Sequence, residues 1–535
     1  MKKRFQWLYA IITVGVFVFA SCSKDDPISS GESGQSGESG QNVQTAMDIL
    51  AKSDRVSIIK DTIDTDGKSA VYFYFTQPLD HQNPAAGTFK QYCVLHYEHP
   101  DSITVLHTQG YSIPERKSFR QLDLSRIFGG NYLEVEHRYY KRSEIGDSQE
   151  DFTKTSYWDY NTAAQSTADL HDIVSMLKAT KAFNGKWVST GVSKNGILTA
   201  LYAYYYPNEI DVYVPFCAPF CTELESPGIG RYVSQQCAKG TSAQEQSWKA
   251  LEEYLHNEQL QEDVAEVYKE VYIKNAKVQK YTTERITRLM TYRFMRNMFQ
   301  KFAYHPVEEW KDVIPALTSS AQKYYLFFSL GKKDFNKNLK ALRKLYELED
   351  DEDYYDYDED TYDDYENGDD DEEFWDEEDP SEDVPGRVVP TKVLETIYFV
   401  HAAKELGYFL DDWQWLLDKE LLTEKDVNTF KSWQTISRYI KTYGVTYDGG
   451  VLMKNFLGFV KDNRNNKKCR MFFVYGADDP WTGAAIPDPA ADDPYVKKYI
   501  VPHGVHSGHL TYKSHYSASD KDRIISTVRT MLKGN

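Results

Sequence analysis

The chain has 535 residues, 41% of them hydrophobic, with 41 Tyr, 26 Phe and 10 Trp, which excludes a small disulfide scaffold and a disordered protein. Its formal net charge of −19 arises from one stretch, because residues 347–383 hold 24 Asp/Glu and no Lys or Arg. The rest of the chain is near neutral and has no block of basic residues, so nucleic acid is not an expected partner.

The N-terminus has the pattern of a lipoprotein signal peptide over residues 1–21. Met1–Arg4 is basic, Leu8–Ala20 is mostly apolar but too short to span a bilayer, and small residues precede Cys22. We expect cleavage before Cys22 and lipidation of its thiol, with membrane anchoring as the result. The alternative is an ordinary signal peptide. Ser23–Asp26 resembles the signal that sends some Gram-negative lipoproteins to the outer surface, which implies an outer-membrane location facing the outside or the periplasm.

Composition divides the mature chain into segments. Residues 22–50 are rich in Ser and Gly and predict a flexible tether. Strand and helix patterns alternate over residues 51–225 and again over 446–535. Residues 226–445 read as a helical block inserted between these two parts. Such an insertion is typical of a cap above the carboxyl edge of a sheet.

Short apolar runs alternate with helical patterns in the sheet-bearing parts. The predicted strands are Val71–Phe75, Tyr92–Leu95, Val105–Thr108, Tyr132–Glu136, Lys186–Thr190, Val212–Phe216, Met471–Tyr475 and Tyr499–Val501. The predicted helices are Thr162–Thr180, Ser193–Tyr206, Gln244–His256, Asp263–Tyr272 and Thr391–Glu405. This order predicts an α/β fold with a mostly parallel sheet covered on both faces.

The acidic tract and the cysteines each allow two interpretations. The acidic tract, residues 347–385, is interpreted as a solvated loop, and the alternative is that it binds cations or a partner, although it has no Asp-x-Asp-x-Asp-Gly calcium loop. Five cysteines of the mature chain are interpreted as buried thiols, with a Cys217–Cys221 bridge as the alternative: Cys93, Cys217, Cys221, Cys237 and Cys469.

A serine lies where a predicted strand turns sharply into a helix. The strand Lys186–Thr190 continues into Gly191-Val192-Ser193-Lys194-Asn195-Gly196, the pattern of a nucleophile elbow. The turn would expose the Ser193 hydroxyl at a helix N-terminus, where backbone N–H groups and the helix dipole favour developing negative charge. The alternative is an ordinary β-α turn without catalytic duty.

The same geometry predicts an oxyanion hole. The Lys194 N–H would supply one donor, and the loop after Val105–Thr108 would supply the other, from Gly110 or Tyr111.

A serine nucleophile needs a base and an acid, which follow it in the chain order Ser, Asp, His in this type of sheet. Asp478 and Asp479 follow the predicted strand Met471–Tyr475. Three histidines follow the last strand: His503, His506 and His509. The pattern places an acid and a base at the carboxyl edge without choosing among them.

These motifs resemble those of the prolyl carboxypeptidase and dipeptidyl peptidase clan, and within it the PS-10 peptidase family of bacterial prolyl tri-/tetrapeptidyl aminopeptidases. The residues that carry the resemblance are Trp187–Gly196, Glu136–Tyr140, Trp158, Tyr475-Gly476 and Asp479-Pro480-Trp481. The resemblance implies an α/β-hydrolase fold and a serine exopeptidase that removes short N-terminal peptides, preferably after proline. It also implies Ser193, Asp479 and His506 as the catalytic triad, without a metal or organic cofactor.

The chain departs from the family at one position, because the family has Ser-Lys-Gly-Gly where this sequence has Ser193-Lys194-Asn195-Gly196. Asn195 must fit a side chain into a tightly packed turn, so we expect a distorted or slower site. An aminopeptidase must also bind a substrate ammonium group, for which Glu136 is the candidate. The alternative for Glu136 is a structural pair with Arg138. The competing functions are an esterase on the same fold and a catalytically impaired surface-binding lipoprotein.

Overall fold

The central feature is a nine-stranded sheet. A computed structural model describes residues 45–63, 68–114, 119, 121–146, 154–238, 242–292, 320–328, 331–346, 393–409, 417–418, 420–432, 440, 442–511 and 516–534, and the statements below concern these residues. Cys22 with the signal peptide, most of the tether and the acidic tract 347–385 lie outside the described residues.

The strands, in chain order, are β1 Val56–Ile63, β2 Ser69–Pro78, β3 Thr88–His96, β4 Thr104–Thr108, β5 Asn131–Val135, β6 Trp187–Val192, β7 Val212–Phe216, β8 Glu225–Ser226, β9 Tyr408–Phe409, β10 Met471–Gly476 and β11 Val496–Val501. The large sheet has the order β1-β2-β3-β5-β4-β6-β7-β10-β11, and β8 pairs with β9 separately. The pairs β1–β2, β2–β3 and β3–β5 are antiparallel. All pairs from β5 to β11 are parallel.

The helices are α1 Ala46–Leu50, α2 Asp123–Phe128, α3 Ala163–Ala179, α4 Lys194–Tyr205, α5 Pro227–Ala238, α6 Ser242–His256, α7 Glu258–Val271, α8 Ser320–Phe327, α9 Gly331–Tyr346, α10 Val393–His401, α11 Glu424–Ser432, α12 Val451–Asn466 and α13 Ala518–Lys533. Residues 283–292 are also helical. The helices α5 to α11 all lie between β7 and β10 in the chain, within the segment predicted as an inserted helical block. No helix among the described residues is long and apolar enough to cross a membrane.

Both faces of the sheet are buried. The strands β4, β5, β7 and β10 are buried at every position, which is expected of parallel strands covered by helices on both sides. One core cluster joins these strands to α3, α4 and α12, and another joins β4, β7 and β10 to α13. The inserted helices have a separate apolar cluster that includes Leu251, Ile286 and Leu326. The mostly parallel sheet and its helices confirm the predicted α/β-hydrolase fold.

The predicted elements differ from the structure in two respects. All eight predicted strands are present, with bounds that differ from the prediction by four residues at most, but β1, β8 and β9 were not predicted. The edge strand β1 has five consecutive exposed residues, so its hydrophobic pattern is weak, and β8 and β9 have only two residues each. Four cysteines are free and buried, which confirms the interpretation for these and shows that the Cys217–Cys221 bridge is wrong: Cys93, Cys217, Cys221 and Cys469. The side chain of Cys237 lies outside the described residues.

A buried ion pair ties α3 to the segment that follows β5. The Arg138 guanidinium donates to both carboxylate oxygens of Asp169, at 2.8 and 2.7 Å, and neither side chain is exposed. His81 Nε2 lies 2.8 Å from the same carboxylate. Removing the charge of Asp169 would leave the guanidinium buried without its counterion, which is far more costly than losing a surface pair.

We therefore expect Asp169→Asn to lower the free energy of unfolding by about 3–5 kcal/mol. Urea denaturation measures this loss. The matched control is Asp492→Asn, which breaks an exposed bidentate pair with Arg464 and should leave the unfolding midpoint nearly unchanged. Equal losses in the two variants would contradict the role of burial.

Candidate active site

The predicted elbow is a strained turn between β6 and α4. Ser193 has φ 59° and ψ −124°, a conformation that is rare for a residue with a side chain, and α4 begins at the next residue. The Ser193 N–H donates to the carbonyl of Phe216 on β7 at 2.9 Å. A Cβ at Gly191 would come within 2.6 Å of the Asn195 backbone, and one at Gly196 within 2.7 Å of the Phe216 carbonyl. The strain therefore falls on Ser193, and the two glycines allow the close packing around it.

A buried acid–base pair lies on the loops after β10 and β11. His506 Nδ1 is 2.8 Å from Asp479 Oδ2, and the two side chains are 2% and 0% exposed. The other carboxylate oxygen, Oδ1, accepts the Trp481 N–H at 3.0 Å. The Trp481 ring lies 4.6 Å from the His506 ring, centre to centre. The contacts of Asp479 and Trp481 fix the orientation of the His506 ring, as an acid and a base of a catalytic triad would require.

The other acids and histidines in these loops form separate pairs. Asp478 lies 3.5 Å from His503, whose side chain is 85% exposed. His509 lies 3.6 Å from Asp123, at the start of α2. The sequence pattern alone did not choose among these residues, and the buried pair is the one that the family resemblance indicates.

Contacts link the acid–base pair to the elbow. A Cβ at Gly508, two residues after His506, would come within 2.5 Å of Val192. The Cys217 thiol follows Phe216 on β7, and its Sγ lies within 4.8 Å of the ligating atoms of Asp479 and His506. The structure therefore brings the loops of all three predicted triad residues to the same carboxyl edge of the sheet.

Cys217, Asp479 and His506 form a group whose spacing is compatible with a metal ion in the part of the chain that the structure describes. Asp479 and His506 are already joined by a 2.8 Å hydrogen bond, and the thiol lies within hydrogen-bond distance of the two carbonyl groups that flank His506. We therefore interpret the group as a hydrogen-bonded network.

The predicted oxyanion donors lie on α4 and on the loop after β4. The Lys194 N–H belongs to the first turn of α4, where backbone N–H groups have no acceptor within the helix. The Gly110 N–H donates to Asn195 Oδ1 at 2.5 Å, so a side chain already occupies this predicted donor. Tyr111 remains the predicted second donor; its carbonyl accepts the His137 N–H at 3.1 Å.

Asn195 connects α4 to the loop after β4, called the oxyanion loop here because it is predicted to supply the second oxyanion donor. Besides accepting from Gly110, its Nδ2 donates to Gln109 Oε1 at 3.0 Å, and its carbonyl accepts the Thr108 hydroxyl at 2.8 Å. The residue is buried within regular helix, so it does not itself need the unusual backbone angles that asparagine tolerates. Asn195 fits because its side-chain amide forms hydrogen bonds with Gly110 and Gln109 of this loop, which a glycine could not form.

The Lys194 side chain enters a buried aromatic cluster between the elbow and α10. Its Nζ lies 5.1 Å from the ring centres of Tyr111 and Tyr140 and 5.7 Å from that of Tyr398. Burial lowers the pKa of Lys194 well below its usual range, with the nearby carboxylate of Glu405 opposing this shift. Burial also raises the pKa of Glu405 to about 7. Lys194 in the elbow and Glu405, which follows α10, are therefore buried ionisable groups that influence each other and that the sequence analysis did not identify.

Glu136 is fully buried and satisfied by neighbouring groups. Its carboxylate accepts the backbone N–H of Ile113 at 2.8 Å and of Arg142 at 2.9 Å and the Ser143 hydroxyl at 3.1 Å. It pairs with Arg142 at 3.3 Å, whereas Arg138 pairs with Asp169, so the suggested Glu136–Arg138 pair is wrong. This geometry favours a structural role for Glu136 over binding of a substrate ammonium group.

Solved structures with similar folds include enzymes of several kinds. They include a proline iminopeptidase from Mycobacterium smegmatis, 10% identical, with 86% of this chain and 99% of that chain covered and a TM-score of 0.32. Feruloyl esterase B from Aspergillus oryzae is 8% identical, with 91% and 89% covered and a TM-score of 0.35. At these scores the comparisons do not distinguish between peptidase and esterase.

A curated relative is similar over part of the sequence. Prolyl tri/tetrapeptidyl aminopeptidase from Streptomyces mobaraensis is 32% identical over 145 residues, which are 27% of this chain. The match spans 28% of the length of that relative. The family model of PS-10 peptidase S37 matches residues 42–238, a segment that contains Ser193 and the oxyanion loop. The predicted resemblance of this chain to the PS-10 peptidase family is therefore confirmed, on the match to residues 42–238.

Proposed function

We propose that this protein is a serine exopeptidase that releases short N-terminal peptides, preferentially after proline. The observation that carries the proposal is the buried Asp479–His506 pair on the sheet edge that also bears the strained Ser193. The similarity to the PS-10 family and to a prolyl tri/tetrapeptidyl aminopeptidase supports the substrate class.

In this mechanism the Ser193 hydroxyl oxygen attacks the scissile carbonyl while His506 Nε2 takes its proton. Asp479 accepts a hydrogen bond from His506 Nδ1–H and stabilises the imidazolium that forms. The backbone N–H groups at the elbow bind the oxyanion. His506 then protonates the departing amine, and a water molecule, activated by the same histidine, hydrolyses the acyl-enzyme and restores Ser193.

Labelling with a fluorophosphonate probe tests the nucleophile. We expect the wild-type protein to be labelled and Ser193→Ala to lose all labelling, because the probe reacts with activated serines. The matched control is Ser189→Ala, which removes a buried hydroxyl from the same strand and should retain labelling. A folded wild-type protein that remains unlabelled would contradict the proposal and favour the impaired surface-binding lipoprotein.

A substrate panel separates the peptidase from the esterase. We expect hydrolysis of peptide anilides that end in proline at the cleavage site, and loss of this activity when the peptide N-terminus is acetylated. Hydrolysis of simple nitrophenyl esters with no cleavage of any proline peptide would favour the esterase. Equal cleavage of free and acetylated peptides would contradict exopeptidase specificity.

We also propose that the enzyme is anchored to the outer membrane through a lipid at Cys22, with the tether holding the hydrolase away from the bilayer. The sequence pattern of residues 1–26 supports this location. Metabolic labelling with a palmitate analogue tests it: wild-type protein should incorporate the label and Cys22→Ala should not.

A further inference from the structure

A buried thiol that the mechanism does not use lies against the acid and the base. The Cys217 side chain is fully buried, and its Sγ lies within 4.8 Å of ligating atoms of both Asp479 and His506. It lies 3.7 Å from the Val505 carbonyl oxygen and 3.6 Å from that of Ser507. These carbonyl groups flank His506 on both sides, so one thiol contacts the acid loop and the base loop together.

The backbone holds this thiol in place at an energetic cost. Cys217 has φ 49°, in the left-handed region that residues with side chains rarely adopt. Its N–H donates to the Val474 carbonyl on β10 at 2.8 Å, which fixes the end of β7 against the strand that leads to Asp479. Strained residues persist where the surrounding structure imposes them, and they cluster at functional sites.

The thiol is present as a hydrogen-bond donor. Burial, together with the neighbouring Asp479 carboxylate, raises the pKa of Cys217 well above its usual value. Its proton is therefore retained at neutral pH, and the side chain is neither a nucleophile nor a thiolate ligand there. The two carbonyl groups that flank His506, those of Val505 and Ser507, lie within hydrogen-bond distance of the thiol, and the Asp479 carboxylate lies within 4.8 Å of it.

We propose that Cys217 is a positioning residue of the triad, which hydrogen-bonds to Asp479 and holds the His506 loop against it. This inference rests on the proposed function of Ser193, Asp479 and His506. Asp479 accepts the Trp481 N–H on Oδ1 and bonds to His506 through Oδ2, and the thiol, which lies within 4.8 Å, is its proposed third partner. Groups that orient the ligands of a metal site typically contribute about tenfold to a hundredfold to activity, and we expect an effect at the lower end of that range for a group that orients a catalytic acid.

The variants Cys217→Ala and Cys217→Ser test the proposal. We expect Cys217→Ala to lower kcat/KM for a proline peptide about tenfold, mainly through kcat, because the acid and base lose part of their alignment. Cys217→Ser keeps a donor and should recover most of the activity. The matched control is Cys469→Ala, which removes an equally buried thiol before β10 and should affect stability alone.

The pH profile separates positioning from simple packing. Loss of a donor leaves more negative charge on Asp479 to stabilise the His506 imidazolium, so the acid limb of kcat/KM should move to higher pH in Cys217→Ala. The serine variant should keep the wild-type limb. Tyr475 and Tyr516 also face this cluster, and burial raises the pKa of both, so they stay neutral over this range.

Two results would overturn the proposal. The first is a Cys217→Ala variant with wild-type kinetics and a wild-type pH profile. The second is an equal loss of kcat/KM in the alanine and serine variants with an unchanged pH profile.

The rate of fluorophosphonate labelling should rank the variants in the same order as kcat/KM, and it needs no peptide substrate. Ranked labelling without peptide cleavage would therefore reject the peptidase and retain the positioning role. If wild-type is not labelled, the low-field proton NMR signal of His506 Nδ1–H decides, because Cys217→Ala should shift it and Cys469→Ala should not.

Discussion

Asp479→Asn is expected to lower kcat for a proline peptide by roughly 10³- to 10⁴-fold, with a much smaller change in KM. The asparagine keeps the size of the side chain and can still accept from the Trp481 N–H. It cannot stabilise a charged imidazolium, and its amide favours the wrong tautomer of His506. The substitution therefore slows the chemical step. Stopped-flow or steady-state assays at saturating substrate concentration measure the resulting loss of kcat directly.

The neighbouring pair provides a matched control. Asp478 and His503 lie on the same two loops and also approach each other, at 3.5 Å, but His503 is exposed. Asp478→Asn and His503→Gln should retain kcat within about threefold, because an exposed pair contributes little. His506→Gln should match the loss in Asp479→Asn or exceed it. Comparable losses from both pairs would contradict the assignment of Asp479 and His506.

The sequence pattern alone could not decide whether Asp478 or Asp479 is the acid that pairs with the base. The strand β10 is recognisable from its apolar run, and an acid at its carboxyl end follows from the fold. Which of two consecutive aspartates faces the base depends on the turn at Pro480, where Asp479 caps a short helix by accepting the Trp481 N–H. Consecutive side chains on such a turn point in different directions, and composition does not encode this choice.

Long-range pairing was the main source of error. Glu136 and Arg138 are close in sequence, which suggested an ion pair, but Arg138 pairs with Asp169 on α3. A partner 31 residues away becomes visible when α3 packs against the sheet. The same reason explains why the surroundings of Cys217 could not be predicted: they come from loops about 260 and 290 residues later.

The turn at Ser193, in contrast, could be predicted from the local sequence. A glycine-flanked serine between an apolar strand and a helix predicts a sharp turn, and the structure has the positive φ at Ser193 itself. The fit of Asn195 could not be predicted, since it depends on contacts with a loop 85 residues earlier in the chain. The departure from the family pattern was visible in the sequence, and its structural consequence was not.

Asn195→Ala should lower kcat by about 10²-fold with little change in KM, because displacement of catalytic groups by about 1 Å can cost that much. In the structure its side chain bonds to the Gly110 N–H at 2.5 Å and to Gln109 at 3.0 Å. Gln109 in turn donates to the buried Glu134 at 2.6 Å. Loss of the amide would release the loop that is predicted to contain the second oxyanion donor, while alanine keeps the Cβ and the helix.

The matched control for this variant is Asn463→Ala. Asn463 is equally buried and also makes two hydrogen bonds, to the N–H and the carbonyl of Cys469, before β10. Both variants should lose about 1–3 kcal/mol of stability, because each leaves buried polar groups unsatisfied. The control should keep the wild-type kcat, which separates a loss of oxyanion stabilisation from a loss of folded protein.

The direction of the change decides between two roles of Asn195. A slower enzyme means that the amide anchors the oxyanion loop. A faster enzyme would contradict this expectation, because it would show that Asn195 Oδ1 occupies a donor, the Gly110 N–H, that the oxyanion could otherwise use. The family residue at this position, glycine, leaves Gly110 without this acceptor, so Asn195→Gly should change kcat in the same direction as Asn195→Ala. If the alanine and glycine variants changed kcat in opposite directions, the effect would belong to helix packing at the elbow and not to the amide.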